Sequence, residues 1–136
     1  MDVRYEDLGQ EIWQMDFEGE RPAIVVNKNL GKVDIAYIVR NDSQFFSLVY
    51  PAAIRQILEY IVLEREDMAD TDGDPEEDWG VAWLRYVCQL PGVGSPPSES
   101  ESSEEKRQWA GVAVAEFCKA KSIADLYADT KNREKP

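Results

Sequence analysis

The residues of this chain that could do chemistry are mostly carboxylates. Asp70-Thr71-Asp72-Gly73-Asp74 sets oxygen ligands at alternate positions, as an EF-hand calcium loop begins. Counted from Asp70, Pro75 falls where that loop needs its turn glycine, and Val81 falls where it needs a bidentate glutamate. A standard EF-hand is excluded, and no tight calcium site is expected. Two carboxylates flanking a bond could serve as acid and base, but nothing in the sequence selects a pair from the 27 acids. There is no histidine. That removes the commonest general base and every Ser-His or Cys-His nucleophile pair. The two cysteines, Cys88 and Cys118, are thirty residues apart, form no C-x-x-C and cannot make a conventional zinc site without histidine. They read as buried free thiols in apolar helical stretches. Asn29-Leu30-Gly31-Lys32 is a turn, not a phosphate-cradling loop. No catalytic residue, metal or cofactor is assigned, and the chain reads as a non-enzyme.

The distribution of the acids is more telling. The formal charge is −12. Residues 66–78 hold Glu66, Asp67, Asp70, Asp72, Asp74, Glu76, Glu77 and Asp78 without one Lys or Arg, and Glu99, Glu101, Glu104 and Glu105 follow in 99–105. These twelve account for the whole imbalance. The acidity is thus confined to two segments. It repels nucleic-acid phosphate and attracts a basic partner or a cation. The plainer reading is a solvated loop that keeps the protein soluble.

Aromatic residues stand beside the first acidic segment. Trp79, Trp83 and Tyr86 step at helical spacing, and Trp109 makes a fourth large ring. Such residues are ordinary core material, yet Trp and Tyr also dominate binding hot spots. The candidate partner-binding set is therefore Asp67, Asp70, Asp72, Asp74, Glu76, Glu77 and Asp78 with Trp79 and Trp83. In the second acidic segment, Ser98 with Glu101 and Ser102 with Glu105 match the spacing of an acidophilic kinase site, a short pattern of little specificity.

These residues must be positioned by a fold. The chain of 136 residues suits one domain, 43% apolar and 31% charged. Tyr5, Leu8, Ile12 and Met15 predict an amphipathic helix over 3–16, weakened by Gly9. Three strand-like runs follow, Ala23–Val26, Val33–Val39 and Gln44–Tyr50, joined by turn residues as an antiparallel meander. Pro51 is expected to open a helix to about Arg65, with Ile54, Ile57, Leu58, Ile61 and Val62 as its buried stripe. A further helix is expected to start at Asp74-Pro75-Glu76-Glu77, with Asp74 as its cap, and to stop at Pro91-Gly92. Ser102 and Glu105 predict the cap of a last helical region, which restarts at Ser122.

The expectation is one α+β domain, residues 1–136, with a small three-stranded antiparallel sheet packed against several helices in the order α-β-β-β-α-α-α. It carries a flexible acidic loop at 66–74, a Ser/Pro/Glu-rich linker at 91–103 and a frayed tail at 129–136. No apolar run is expected to reach the ~18 residues of a membrane span, and a cytoplasmic location is expected. The function expected is a protein–protein interaction module, such as an inhibitor, an immunity protein or a small subunit of a complex, that binds a basic protein partner. Alternatives are a DNA-mimic inhibitor and an unrecognised enzyme or cation-responsive module using clustered carboxylates.

Overall fold

A computed structural model describes residues 2–30, 42–64 and 74–134. Its elements are β1 (Asp2–Glu6), β2 (Trp13–Asp16), β3 (Ala23–Asn27), α1 (Ser43–Glu59) continued by a π-helical turn (Tyr60–Glu64), α2 (Trp79–Cys88), α3 (Ser103–Ala120) and α4 (Ile123–Glu134). The fold is α+β, as expected, and the expected run Ala23–Val26 is found as β3, but the sheet is mixed and its other two strands come from earlier in the chain.

The helix expected over 3–16 is instead two strands. Gly9 adopts φ +63°, where other residues are strained. The Asp7 carboxylate accepts the Gly9 N–H at 3.0 Å, so the chain turns between β1 and β2. Two members of the supposed helical stripe, Tyr5 and Ile12, are 41% and 58% exposed. The operative period is two: Val3, Trp13 and Met15 pack with Ile24 and Val26 against Val49 and Ala53 of α1.

All five residues of β3 are buried, which marks it as the central strand. The sheet order is β1-β3-β2. β1 lies parallel to β3 and β2 lies antiparallel to it. The antiparallel meander is thus corrected to a mixed sheet. On the face away from α1, Arg4 of β1 and Asp16 of β2 form an ion pair across β3. The Asp16 carboxyl is held below its ordinary range by the Glu18 N–H and by Arg4, and the Arg4 guanidinium is held above its own.

Gln44–Tyr50, expected as a strand, is the first half of α1. The Asp42 side chain caps the helix by accepting from Gln44 N and Phe45 N at 2.8 and 3.2 Å. Pro51 therefore sits inside the helix, not at its start. The β-branched and aromatic residues that resembled a strand carry helical spacing straight into the expected stripe. Ile54, Ile57, Leu58, Ile61 and Val62 are all buried, as expected. The expected strand Val33–Val39 lies outside the described residues.

α1 is the central helix. Its first half receives the sheet, and its second half receives α2, α3 and α4 through Val87, Ala110, Ala113, Phe117 and Ile123. Read with its π-helical turn, Ser43–Glu64 is long and apolar enough to cross a membrane by length and composition, because the helix begins eight residues earlier than expected. The core helix of a soluble protein passes the same test, and here 44% of the apolar window is buried within the fold.

Ser102 caps α3 as expected, its hydroxyl accepting the Glu105 N–H at 3.1 Å. In the segment before it, Val93 is buried, and Lys106, only 5% exposed, directs its ammonium towards the Glu99 carbonyl. Cys88 and Cys118 are free and half-buried. Burial pushes both thiols up from their ordinary value, which keeps them protonated and poorly nucleophilic at neutral pH.

Candidate functional site

The turn ahead of α2 is built by two aspartates. Asp74 accepts the Glu76 N–H on its side chain at 2.9 Å, and its carbonyl accepts Glu77 N and Asp78 N at 3.1 and 3.0 Å. The chain then leaves this turn, and Asp78, in an extended conformation, caps α2 by accepting the Gly80 N–H at 2.8 Å. Asp74 is thus not the helix cap that the sequence predicts. Two capping aspartates lie four residues apart, and the second one starts the helix. The result lifts Glu76 and Glu77 off the helix and leaves both exposed.

α2 buries Val81, Leu84 and Val87 on one face. Its other face presents Trp79, Ala82, Trp83 and Tyr86 to a groove of about 920 Å³. The opposite wall is a stripe of α1, Phe46, Tyr50 and Ile54, spaced four residues apart. Phe117 and Lys121 at the end of α3 close one part, and Glu20, Arg21 and Pro22 from the β2–β3 connection close another. Pro75, Glu76 and Glu77 complete the rim. This size and the aromatic walls are typical of ligand grooves, and five charged residues, Glu20, Arg21, Glu76, Glu77 and Lys121, also line it.

The aromatic walls are set by neighbouring rings. Beside Trp79, Phe17 and Tyr60 stack face to face at 4.3 Å and 2°, and Trp79 lies roughly parallel to them, 6.0 Å from Tyr60 and 6.4 Å from Phe17. Tyr60 opens the π-helical turn, so that irregularity of α1 positions the wall. Trp83 and Tyr86 meet at 86° with centroids 6.2 Å apart. On the facing wall Phe46 and Tyr50 stack at 4.5 Å. Burial raises the Tyr50 phenol above its ordinary pKa, so it remains a neutral hydroxyl in the groove.

Of the nine residues singled out from the sequence, Glu76, Glu77, Trp79 and Trp83 converge on this groove. Asp74 and Asp78 do not line it; their side chains hold the turn and the cap. Asp67, Asp70 and Asp72 lie outside the described residues. Sequence reasoning missed Phe46 and Tyr50 because 44–50 resembles a strand; their four-residue spacing, continued by Ile54 of the expected stripe, was the available signal. Phe117 and Lys121 share that spacing on α3, whereas Glu20 and Arg21 carry no local signal. Among the described residues no group of three or more Asp, Glu, Cys or His side chains is placed to hold a metal ion.

Comparison with protein-family models, with curated proteins and with solved structures finds no match to this chain.

Proposed function

We propose that this protein is a non-enzymatic interaction module that binds a segment of a basic protein partner in the groove between α1 and α2. The observation that carries the reading is the convergence of Glu76 and Glu77 with Trp79 and Trp83 on one concave surface, faced by Phe46 and Tyr50. Aromatic side chains offer large contact area at little cost in rotamer entropy. Exposed carboxylates at the rim steer a basic partner in and disfavour acidic ones. A role as an inhibitor, an immunity protein or a subunit of a complex is compatible with such a surface.

The experiment is affinity selection from a displayed peptide library, using the intact protein as bait and the Trp83→Ala variant as counter-selection. Selected peptides should combine Lys or Arg with apolar anchors. Their binding should be lost in the variant, and their on-rate should fall as salt rises. Enrichment of acidic peptides, or equal binding to the variant, refutes the proposal.

A further inference from the structure

The groove joins two features that together define one kind of side chain. Its walls are aromatic, with Trp83 and Tyr86 at right angles and Trp79 lying alongside the Phe17–Tyr60 stack. At its rim, Glu76 and Glu77 make no side-chain hydrogen bond or ion pair among the described residues. The groove is lined by three acids and two bases. Glu20 and Arg21 are chain neighbours whose charges offset each other. What remains is the carboxylate pair of the 75–77 turn, three and two residues before Trp79, and Lys121, which closes α3 one turn after Phe117.

An apolar occupant alone would cover the aromatic walls but make no use of the two exposed carboxylates at the rim. A phosphate or carboxylate ligand would meet the excess negative charge. A cation with an apolar stem satisfies walls and rim together: the stem covers aromatic surface, the charge lies against the negative ring faces, and a carboxylate accepts its hydrogen bonds. Of the two basic side chains, arginine fits better. Its guanidinium is planar, weakly hydrated, stacks on rings and pairs with a carboxylate through two parallel bonds, whereas an ammonium is compact and strongly hydrated.

We infer that the groove is an arginine-recognition site, in which a partner's guanidinium stacks on the Trp79–Trp83–Tyr86 wall and is held by Glu76 and Glu77. This deepens the reading given under Proposed function and rests on it. The arginine is assigned to the part of the groove lined by the 75–77 turn and Trp79. Apolar neighbours of that arginine in the partner would then cover Phe46, Tyr50 and Phe117.

The test uses the full chain and four capped peptides, acetyl-Gly-Leu-Xaa-Xaa-Leu-Gly-amide, with Xaa arginine, lysine, citrulline or norleucine. Citrulline keeps the planar shape of arginine without its charge. Binding is read from amide chemical shifts and tryptophan fluorescence. The arginine peptide should shift Glu76, Glu77, Trp79, Trp83 and Tyr86 and should bind about tenfold tighter than the citrulline peptide and severalfold tighter than the lysine peptide. The double variant Glu76→Gln with Glu77→Gln should abolish most of the arginine–citrulline difference. Tyr86→Leu, at an exposed position that keeps its apolar area, should weaken arginine more than norleucine. If norleucine or citrulline binds the same residues as tightly as arginine, arginine recognition is overturned while the groove remains a binding site. If none of the four peptides shifts the groove, both the inference and the binding proposal fail.

Discussion

Asn27 shows how much one buried polar side chain can organise. It closes β3, and its amide makes four hydrogen bonds. Nδ2 donates to the Gly9 and Glu11 carbonyls at 2.9 and 2.8 Å, and Oδ1 accepts from Asn29 N and Leu8 N at 3.0 and 3.4 Å. It thereby holds the β1–β2 connection that lacks regular structure of its own. Asn27→Asp keeps the shape but removes both donors and sets carboxylate oxygens against two carbonyls. It should destabilise the fold by about 2–4 kcal/mol, read as a lowered midpoint in urea; an unchanged midpoint would show that the connection is held elsewhere. Tyr50 gives a prediction in pH. Its folded pKa is raised above the ordinary 10.0, so the folded state holds the proton more tightly. The stability it contributes is fully present below its unfolded pKa and is lost as pH rises through the folded pKa. Tyr50→Phe should therefore flatten the decline in stability above about pH 10. Identical alkaline slopes in the two proteins would place the loss in other groups, with the raised Cys88 and Cys118 thiols next to test.

At the scale of elements, α1 is the structural centre and α2 a wall of the proposed binding groove. Ile57 is fully buried between them, beside Ile61 and Leu84. Ile57→Asp should cost about 3–5 kcal/mol, because the carboxylate has no partner there; a melting temperature within error of the parent would contradict the packing. Asp78→Ala should cost about 1 kcal/mol through loss of the α2 cap, whereas Asp74→Ala, which affects only the preceding turn, should cost less. Equal losses would restore Asp74 as the effective cap. How far these elements were legible depended on what each sequence signal measures. The stripe from Ile54 to Val62 was readable because five aliphatic side chains repeat at helical spacing over a long window. The segment 44–50 was misread because Phe45, Phe46, Val49 and Tyr50 have β propensity, and Pro51 looked like a boundary. Propensity is a weak prior, and the core that α1 shares with the sheet decided the matter. The N-terminal strands were hidden for the opposite reason: a short amphipathic run fits both periods, and only the positive φ of Gly9 breaks the tie. Glu76, Glu77, Trp79 and Trp83 were found as a local cluster. Phe46, Tyr50 and Phe117 come from distant segments that meet only through tertiary packing.

For the whole molecule, the charge of −12 is the long-range property. If the groove receives a basic partner, association should slow as salt rises, because exposed charges are screened beyond a Debye length of ~8 Å at physiological ionic strength. Replacing Asp67, Asp70 and Asp72 with Asn should lower the on-rate and leave the melting temperature unchanged. Trp83→Ala should act mainly on the off-rate, since it removes wall and not field. Stopped-flow kinetics with a selected peptide separates the two; an on-rate indifferent to salt and to the triple change would confine recognition to the aromatic walls.

The strand order β1-β3-β2 also has a consequence in time. Asp2 and Asp16 both pair with Ala23, from opposite sides, so β1 and β2 each depend on the strand made last among the three. During synthesis β1 leaves the ribosome without a neighbour and has to wait for β3. Meanwhile β2 and β3, adjacent in the chain, can close as a local hairpin at lower entropic cost. Assembly should run hairpin first and β1 second. Mutations in β2 or β3 should then slow folding, whereas mutations in β1 should mainly speed unfolding.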